Sequence, residues 1–362
     1  MNSFALYRLP HSTVCTLVEQ VGDEPAALLS CTELSESRGF VMAPFQADGQ
    51  QPIVLIRPDH VGMLQQGACH SSPLVLHLMQ DGVAVQQDAQ VDSCRQTNDF
   101  ERYSLDFANF HAQLRQGTFR KIVLARRAVE QVKQKVSPFE LFDRACLSYP
   151  RLFIALAYTP QSGLWLTATP EILLEGNGDK WRTIALAGTM QLQGDDLQGE
   201  GEGARWSAKN IQEQRFVATY ITECLEQLAT HISEEGPRTV RAANLVHLRS
   251  DFTFSMHPSH SGQLLQLLHP TPAVCGLPKR EALGFIVRNE SAPRRYYSGF
   301  MGPMGIGDAA THLYVSLRCM QLCGHEYHLY AGGGLLRDSQ LEQEWQETEA
   351  KLQTMRQLIS VI

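Results

Sequence analysis

No stretch of this 362-residue chain approaches the roughly 18 consecutive apolar residues that cross a bilayer, so no membrane span is expected. The opening MNSFALYRLPHSTVCTLVEQ has neither the charged start nor the apolar run of a secretory leader, and the expected location is cytoplasmic. Positive charge is also scarce. Lysine and arginine number 31 against 38 aspartates and glutamates, without long basic runs, which argues against nucleic acid and anionic membranes as partners. The 9 cysteines never fall as CxxC, which is the usage of reduced thiols rather than of disulfides. Cys319, Cys323, His325 and His328 come nearest to metal-ligand spacing. They read instead as a strand, a turn and a strand with thiols in the packing.

What is present is a β-rich chain with a few strongly periodic helices. At 43% hydrophobic residues it can build one large domain or two ordinary ones. A single domain over 1–362 is expected, with a β-rich N-terminal part over 1–98 and the chemistry in 99–356. Ile53–Ile56, Leu74–Leu78 and Val83–Val85 read as short strands between Gly, Pro and Asp. Helices are expected over Asp99–Gln116, Ser137–Ser148, Ser207–Thr230 and from Ser339 onward, the last opened by a capping box of Ser339 and Glu342. Between them lie apolar strands: KIVLAR at 121–126, LFIALAY and LWLTAT as a hairpin, IALAGT ending in a Gly-Thr turn, VHLRSDFTF and HLYVSLR. The glycine-rich YYSGFMGPMG leads into a strand rather than a helix, which rules out a dinucleotide loop.

Several residues carry chemistry. The run Gly332-Gly333-Gly334 closes a strand and lets backbone approach a neighbour closely. In the helix that follows, Leu341, Trp345, Thr348, Leu352 and Met355 form an apolar stripe. Glu344, Glu347 and Lys351 lie beside it, with Glu349 toward solvent. Glu347 and Lys351 are either a surface i,i+4 pair or part of a site. Glu213 falls inside the apolar stripe of its own helix, so it either neutralises a buried Arg or Lys or ligates a metal. With Glu344 and Glu347 it makes an all-oxygen set suited to a hard ion, Mg2+ before Zn2+. Lys121, opening a buried strand, is either a snorkelling end-cap or an amine tuned as a general base. Glu171 is either solvated or, among apolar strands, a carboxyl raised toward acid catalysis. Gly188 and Thr189 offer backbone N–H groups to a carboxylate. His247 reads as a structural histidine, and strand alternation aims Arg318 toward an anion.

In order along the chain, KIVLAR, TPE, LAGT, Glu213, His247-Leu248, LHPTPAVCG, YSG, SLR and AGGG…SxxEQEWQETEAKL resemble the chorismate-utilising enzymes. The resemblance covers about residues 100–356 and is strongest to the isochorismate synthases of menaquinone and siderophore pathways. It implies an α/β (α+β) fold of large, mainly antiparallel sheets packed together and flanked by helices. It also implies conversion of chorismate to isochorismate, with Lys121 activating water for attack at C2 and Glu171 protonating the departing C4 hydroxyl. Glu213, Glu344 and Glu347 would surround Mg2+. Tyr297, Arg318 and the Gly332 backbone would hold the enolpyruvyl carboxylate, and Lys351 with Gly188-Thr189 the ring carboxylate. His247 would lie close to the ring.

Two positions depart from the family pattern, Gln214 where His is frequent and Asn210 where an acid is common. Both are expected beside the metal. A monomer without a glutaminase subunit is expected. Anthranilate-type synthases resemble this pattern but carry Gln in place of Lys121, and aminodeoxychorismate synthases carry Lys in place of Ala187. Salicylate synthases share the lysine, but their LFPxxTxSG differs from LHPTPAVCG at 268–276, so release of isochorismate is expected rather than salicylate. A non-catalytic binding protein on this fold would be expected to lose polar site residues, yet Lys121, Glu171, Glu213 and Glu347 are all present.

Overall fold

The computed structural model describes residues 3–80, 99–132, 136–191, 205–242, 245–308 and 310–360. Its strands form two nine-stranded sheets, antiparallel at each described pairing. The first runs Gly276–Leu277, Lys121–Gln131, Glu326–Leu335, Cys319–Cys323, Gly163–Thr169, Phe153–Thr159, Ser3–Arg8, Val14–Gln20, His60–Gln65. The second runs Thr230–Ala242, Leu245–Ser255, Lys180–Gln191, Ile172–Asn177, Thr311–Val315, Phe300–Met304, Gly39–Ala43, Ile53–Ile56, Ala26–Leu28. The N-terminal part thus supplies strands to both sheets.

Strand Phe153–Thr159 is buried at every position because one face meets the other sheet and the opposite face meets helices. That explains why its sequence is apolar on both sides rather than alternating. Between the sheets the packing is aromatic. Phe153 stacks on Tyr314 at 4.3 Å and Tyr7 meets Phe40 at 5.6 Å. Outside the first sheet, helices Pro138–Ser148 and Leu341–Ile359 bring Phe142, Leu352 and Met355 onto Leu156, Leu166 and Leu329. Outside the second, helices Ala208–Leu225 and Ser261–Leu268 bring Val217, Ile221 and Leu264 onto Leu174, Ala185 and Phe252. Helices Asp99–Arg115 and Lys279–Asn289 close over Ile122 and Leu124 with Phe110 and Ile286. The result is helix, sheet, sheet, helix. Among the described residues no helix is long and apolar enough to cross a membrane.

Several expectations about individual elements are corrected. Leu74–Leu78 lies in the helix Pro73–Gln80, since Val75 and Leu78 are buried while Leu74 and Leu76 are exposed, a period near three rather than two. Val83–Val85 lies outside the described residues. The helix from Ser207 is capped as its sequence suggests, the Ser207 hydroxyl accepting the Asn210 amide at 3.2 Å. It ends at Leu225 rather than Thr230, because Thr230 already pairs in the second sheet. Ser339 is no cap. The last helix starts at Leu341 behind Gln340, and the Ser339 hydroxyl instead accepts the Leu336 amide at 3.0 Å.

Candidate active site

The strand Glu326–Leu335 continues straight through the three glycines, which pair with Ala125, Leu124 and Val123. They do not end the strand. They leave room beside it. A Cβ at Gly334 would stand 2.0 Å from Glu213 Oε1, one at Gly333 3.2 Å from Glu344 Oε2, and one at Gly332 2.8 Å from the Tyr297 hydroxyl. Side chains from three distant parts of the chain therefore rest against one bare stretch of backbone.

The carboxylates on this floor each meet a lysine. Lys121, fully buried, places Nζ 2.8 Å from Glu213 Oε1, though at an angle short of a well-formed hydrogen bond. Lys209 contacts Glu344 Oε1. Lys351 Nζ lies 2.7 Å from Glu347 Oε1 and donates to the Gly332 carbonyl at 2.8 Å. Burial pushes Glu213 up, but the charges of Lys121 and Lys209 outweigh it and hold the group below the ordinary carboxylate range. Glu344 goes the other way. Burial raises it, Lys209 lowers it, and the nearby Glu347 charge adds to the rise. Its Oε2 makes no well-aligned hydrogen bond.

As the side chains stand, no three His, Cys, Asp or Glu residues among those described converge as metal ligands. The donor chemistry nevertheless fits magnesium: three carboxylates on one glycine floor, one with an oxygen that makes no well-aligned hydrogen bond.

The facing wall is different. Glu171 precedes the strand Ile172–Asn177, with its backbone pinned by Thr169 at 3.3 Å and by Val315 at 2.9 Å. Among the described residues its carboxyl has no ion pair and no side-chain hydrogen bond. Burial pushes it up to about 8, and the opposing pull of Arg318, Lys121 and Lys351 does not prevail. Arg318 follows the strand Thr311–Val315 in a left-handed conformation (φ 43°), and burial lowers it to about 10, still cationic. Its Nη2 lies 2.6 Å from His247 Nε2, while its Nε has no partner. Because arginine only donates, His247 Nε2 accepts, and Nδ1–H is left to donate to the Gly188 carbonyl at 3.1 Å. His247 is therefore neutral, as burial and the Arg318 charge, which hold it well below the ordinary range, also require. Gly188, at φ +68°, sits in a bulge between Ala187 and Thr189 rather than in a terminal turn, since the strand runs on to Gln191.

Glu171, Gly188, Thr189, Glu213, His247, Tyr297, Arg318, Gly332, Glu347 and Lys351 line one cavity, with Leu186, Ala187, Ala273, Val274, Leu317 and Tyr330 as its apolar part. Lys121 and Glu344 are not in that lining. Lys121 is paired to Glu213, which is, and Glu344 abuts Gly333.

Other expectations need revision. Glu349 does not face solvent alone. It pairs with Arg126, whose guanidinium lies 3.8 Å over the Trp345 ring, and with Arg356 at 2.7 Å. Gln214 is not at the carboxylates. It accepts the Ala187 amide at 2.9 Å and donates to the Ala185 carbonyl at 3.1 Å, tying its helix to the cavity strand. Asn210 packs on Gly188, where a Cβ would stand 3.1 Å from its own. Lys209 escaped the sequence reading, although its i,i+4 relation to the inward Glu213 places both on one helix face. Cys319–Cys323 and the strand from Glu326 form the expected strand, turn and strand.

Two antiparallel sheets around a cavity lined by Glu171, Glu213, Glu347, Arg318 and Lys351 make a fold shared with solved chorismate-utilising enzymes. The Escherichia coli menaquinone-specific isochorismate synthase MenF superposes with a TM-score of 0.78 at 22% identity, over 99% of this chain and 89% of that one. The description of the chorismate binding enzyme family matches residues 71–360, and the chain belongs to that family. It is similar to isochorismate synthase MenF of Escherichia coli strain K12, 34% identical over 54% of this chain and 46% of that protein. It is also similar to the salicylate biosynthesis isochorismate synthase of Pseudomonas aeruginosa, 32% identical over 69% of this chain and 53% of that protein. The chain spans about half the length of these two relatives.

Proposed function

We propose that this chain is an isochorismate synthase, isomerising chorismate by adding water at C2 and expelling the C4 hydroxyl. The observation that carries the reading is Glu171: a buried carboxyl still protonated at neutral pH, in a cavity that also holds buried Arg318. A leaving hydroxide needs such a proton donor. Lys121 is the base that takes a proton from the attacking water. An ammonium cannot accept a proton, so Lys121 serves only when its pair with Glu213 opens and the amine is neutral. The ring double bonds shift as the new C2–O bond forms, Glu171 gives its proton to the departing hydroxyl, and one water enters as one leaves.

The substrate carries two carboxylates, and the cavity supplies two cations for them, Arg318 on one wall and Lys351 on the other. Arg318, with its unpartnered Nε, and the Tyr297 hydroxyl, kept neutral because burial raises it, hold the enolpyruvyl carboxylate. Lys351 and the backbone of the Gly188-Thr189 bulge hold the ring carboxylate. His247, neutral and engaged at both nitrogens, positions Arg318 and moves no proton. Glu213, Glu344 and Glu347 would hold Mg2+, which would supply positive charge for binding a substrate carboxylate.

The names of the two relatives above support this reading. The test is to incubate the protein with chorismate and Mg2+ at neutral pH and follow the early product by NMR. Isochorismate is expected. Salicylate and pyruvate appearing at the rate of chorismate loss would make the chain a salicylate synthase. No chorismate loss would leave a binding protein.

A further inference from the structure

Each carboxylate of the expected magnesium set has its own lysine, but the three lysines are not equivalent. Lys121 and Lys351 have tasks in the reaction proposed above. Lys209 has none. It reaches Glu344 Oε1 from the helix Ala208–Leu225, and its side chain is 28% exposed whereas that of Glu344 is 1% exposed. Glu344, Glu347 and Glu213 all act on its charge. The other oxygen of Glu344 makes no well-aligned hydrogen bond and abuts Gly333; the adjacent Ser339 hydroxyl accepts the Leu336 amide and lends Glu344 only a minor hydrogen bond, the last of the influences on it after Lys209 and Glu347. A divalent cation and an ammonium cannot share one buried carboxylate at small cost, because in a poorly screened site their repulsion is large.

We propose that Lys209 is a built-in competitor of the divalent cation: its ammonium holds Glu344 in the metal-free protein and leaves when metal binds. This rests on the magnesium reading of the site. The arrangement keeps a buried carboxylate compensated when no metal is bound, which an unpaired Glu344 would not be. It also assigns the displaced role to the most exposed of the three lysines, 28% against 18% for Lys351. The side chain of Lys121 is fully buried.

The test uses Mn2+ as the probe, titrated into the substrate-free protein at pH 8 with free Mn2+ read by EPR. Lys209→Met is expected to bind Mn2+ about tenfold more tightly than wild type, the change that follows from removing an interaction of about 1.4 kcal/mol. Equal or weaker binding by the variant overturns the proposal while leaving the magnesium reading intact. Absence of Mn2+ binding by both proteins removes the magnesium reading and the proposal together. A second measurement needs no variant. Acetylation of Lys209 by acetic anhydride, mapped by mass spectrometry in wild type, is expected to run several-fold faster in saturating Mg2+ than in NaCl of equal ionic strength. An unchanged or slower rate overturns the proposal.

Discussion

Glu171 and Glu213 line the same cavity, and both are buried, at 2% and 8% exposure. Burial alone would raise both. Glu213 is held low because Lys121 and Lys209 outweigh desolvation, and Glu171 rises to about 8 because Arg318, Lys121 and Lys351 do not. One wall of the cavity therefore carries a charged carboxylate in the company of lysines, and the other an uncharged acid. The difference lies in the neighbours, not in the residue type or its depth. In the function proposed above, that difference lets one amino acid serve both as a cation ligand and as a proton donor within a single site.

The largest expected effect comes from withholding the cation proposed for the lysine wall. Excess EDTA should abolish turnover while the protein stays folded, because the lysines still neutralise the carboxylates; full activity in EDTA would take magnesium out of the mechanism. Next comes the proton donor itself. Glu171→Gln should lose about 10²–10⁴-fold in kcat with chorismate binding retained, and Lys121→Gln should behave alike. A Lys121→Gln protein with near wild-type kcat would reduce Lys121 to a strand-end lysine.

Stability should separate the two glutamates in a third way. Glu213→Gln leaves the fully buried Lys121 without its ionic partner and should cost about 3–5 kcal/mol in denaturant unfolding. Glu171→Gln removes a carboxyl with no ionic partner and should cost nothing or stabilise. Equal losses in the two variants would break the contrast.

The smallest effect is on pH dependence. The folded protein keeps Glu171 protonated up to about 8, whereas the unfolded chain releases that proton near the ordinary value of 4.5. Its contribution to stability therefore falls as pH rises from about 4.5 to about 8 and is level above. The gain of Glu171→Gln over wild type should grow across that window. Glu213, held low, contributes in the opposite sense, stabilising above about 4.5 and losing that contribution as pH falls. Because the proposed reaction needs protonated Glu171, kcat/KM should also decline above about pH 8, and the residual activity of Glu171→Gln should lack that limb.

Much of the site was legible beforehand because local patterns carry it. KIVLAR is apolar on both faces, and the strand Lys121–Gln131 is indeed covered on both sides over that stretch. Glu213 interrupts an apolar helical stripe, and a periodic pattern reports direction regardless of what is met there. The same logic failed where direction depended on a partner. Glu349 lies off the stripe, yet Arg126 from another strand and Arg356 engage it.

The sequence by itself determined that Glu213 points inward, that a strand begins at Lys121, and that the motifs follow the order of a chorismate-binding enzyme. Tertiary structure alone decided which charges meet. Lys209 and Glu344 lie 135 residues apart, and no local period relates them. The glycine run could be read as a turn or as a floor until the strand it belongs to was paired and the carboxylates laid against it. Periodicity reports the face a residue presents within its own element. Proton affinity depends on the charges and burial that other elements bring to that face.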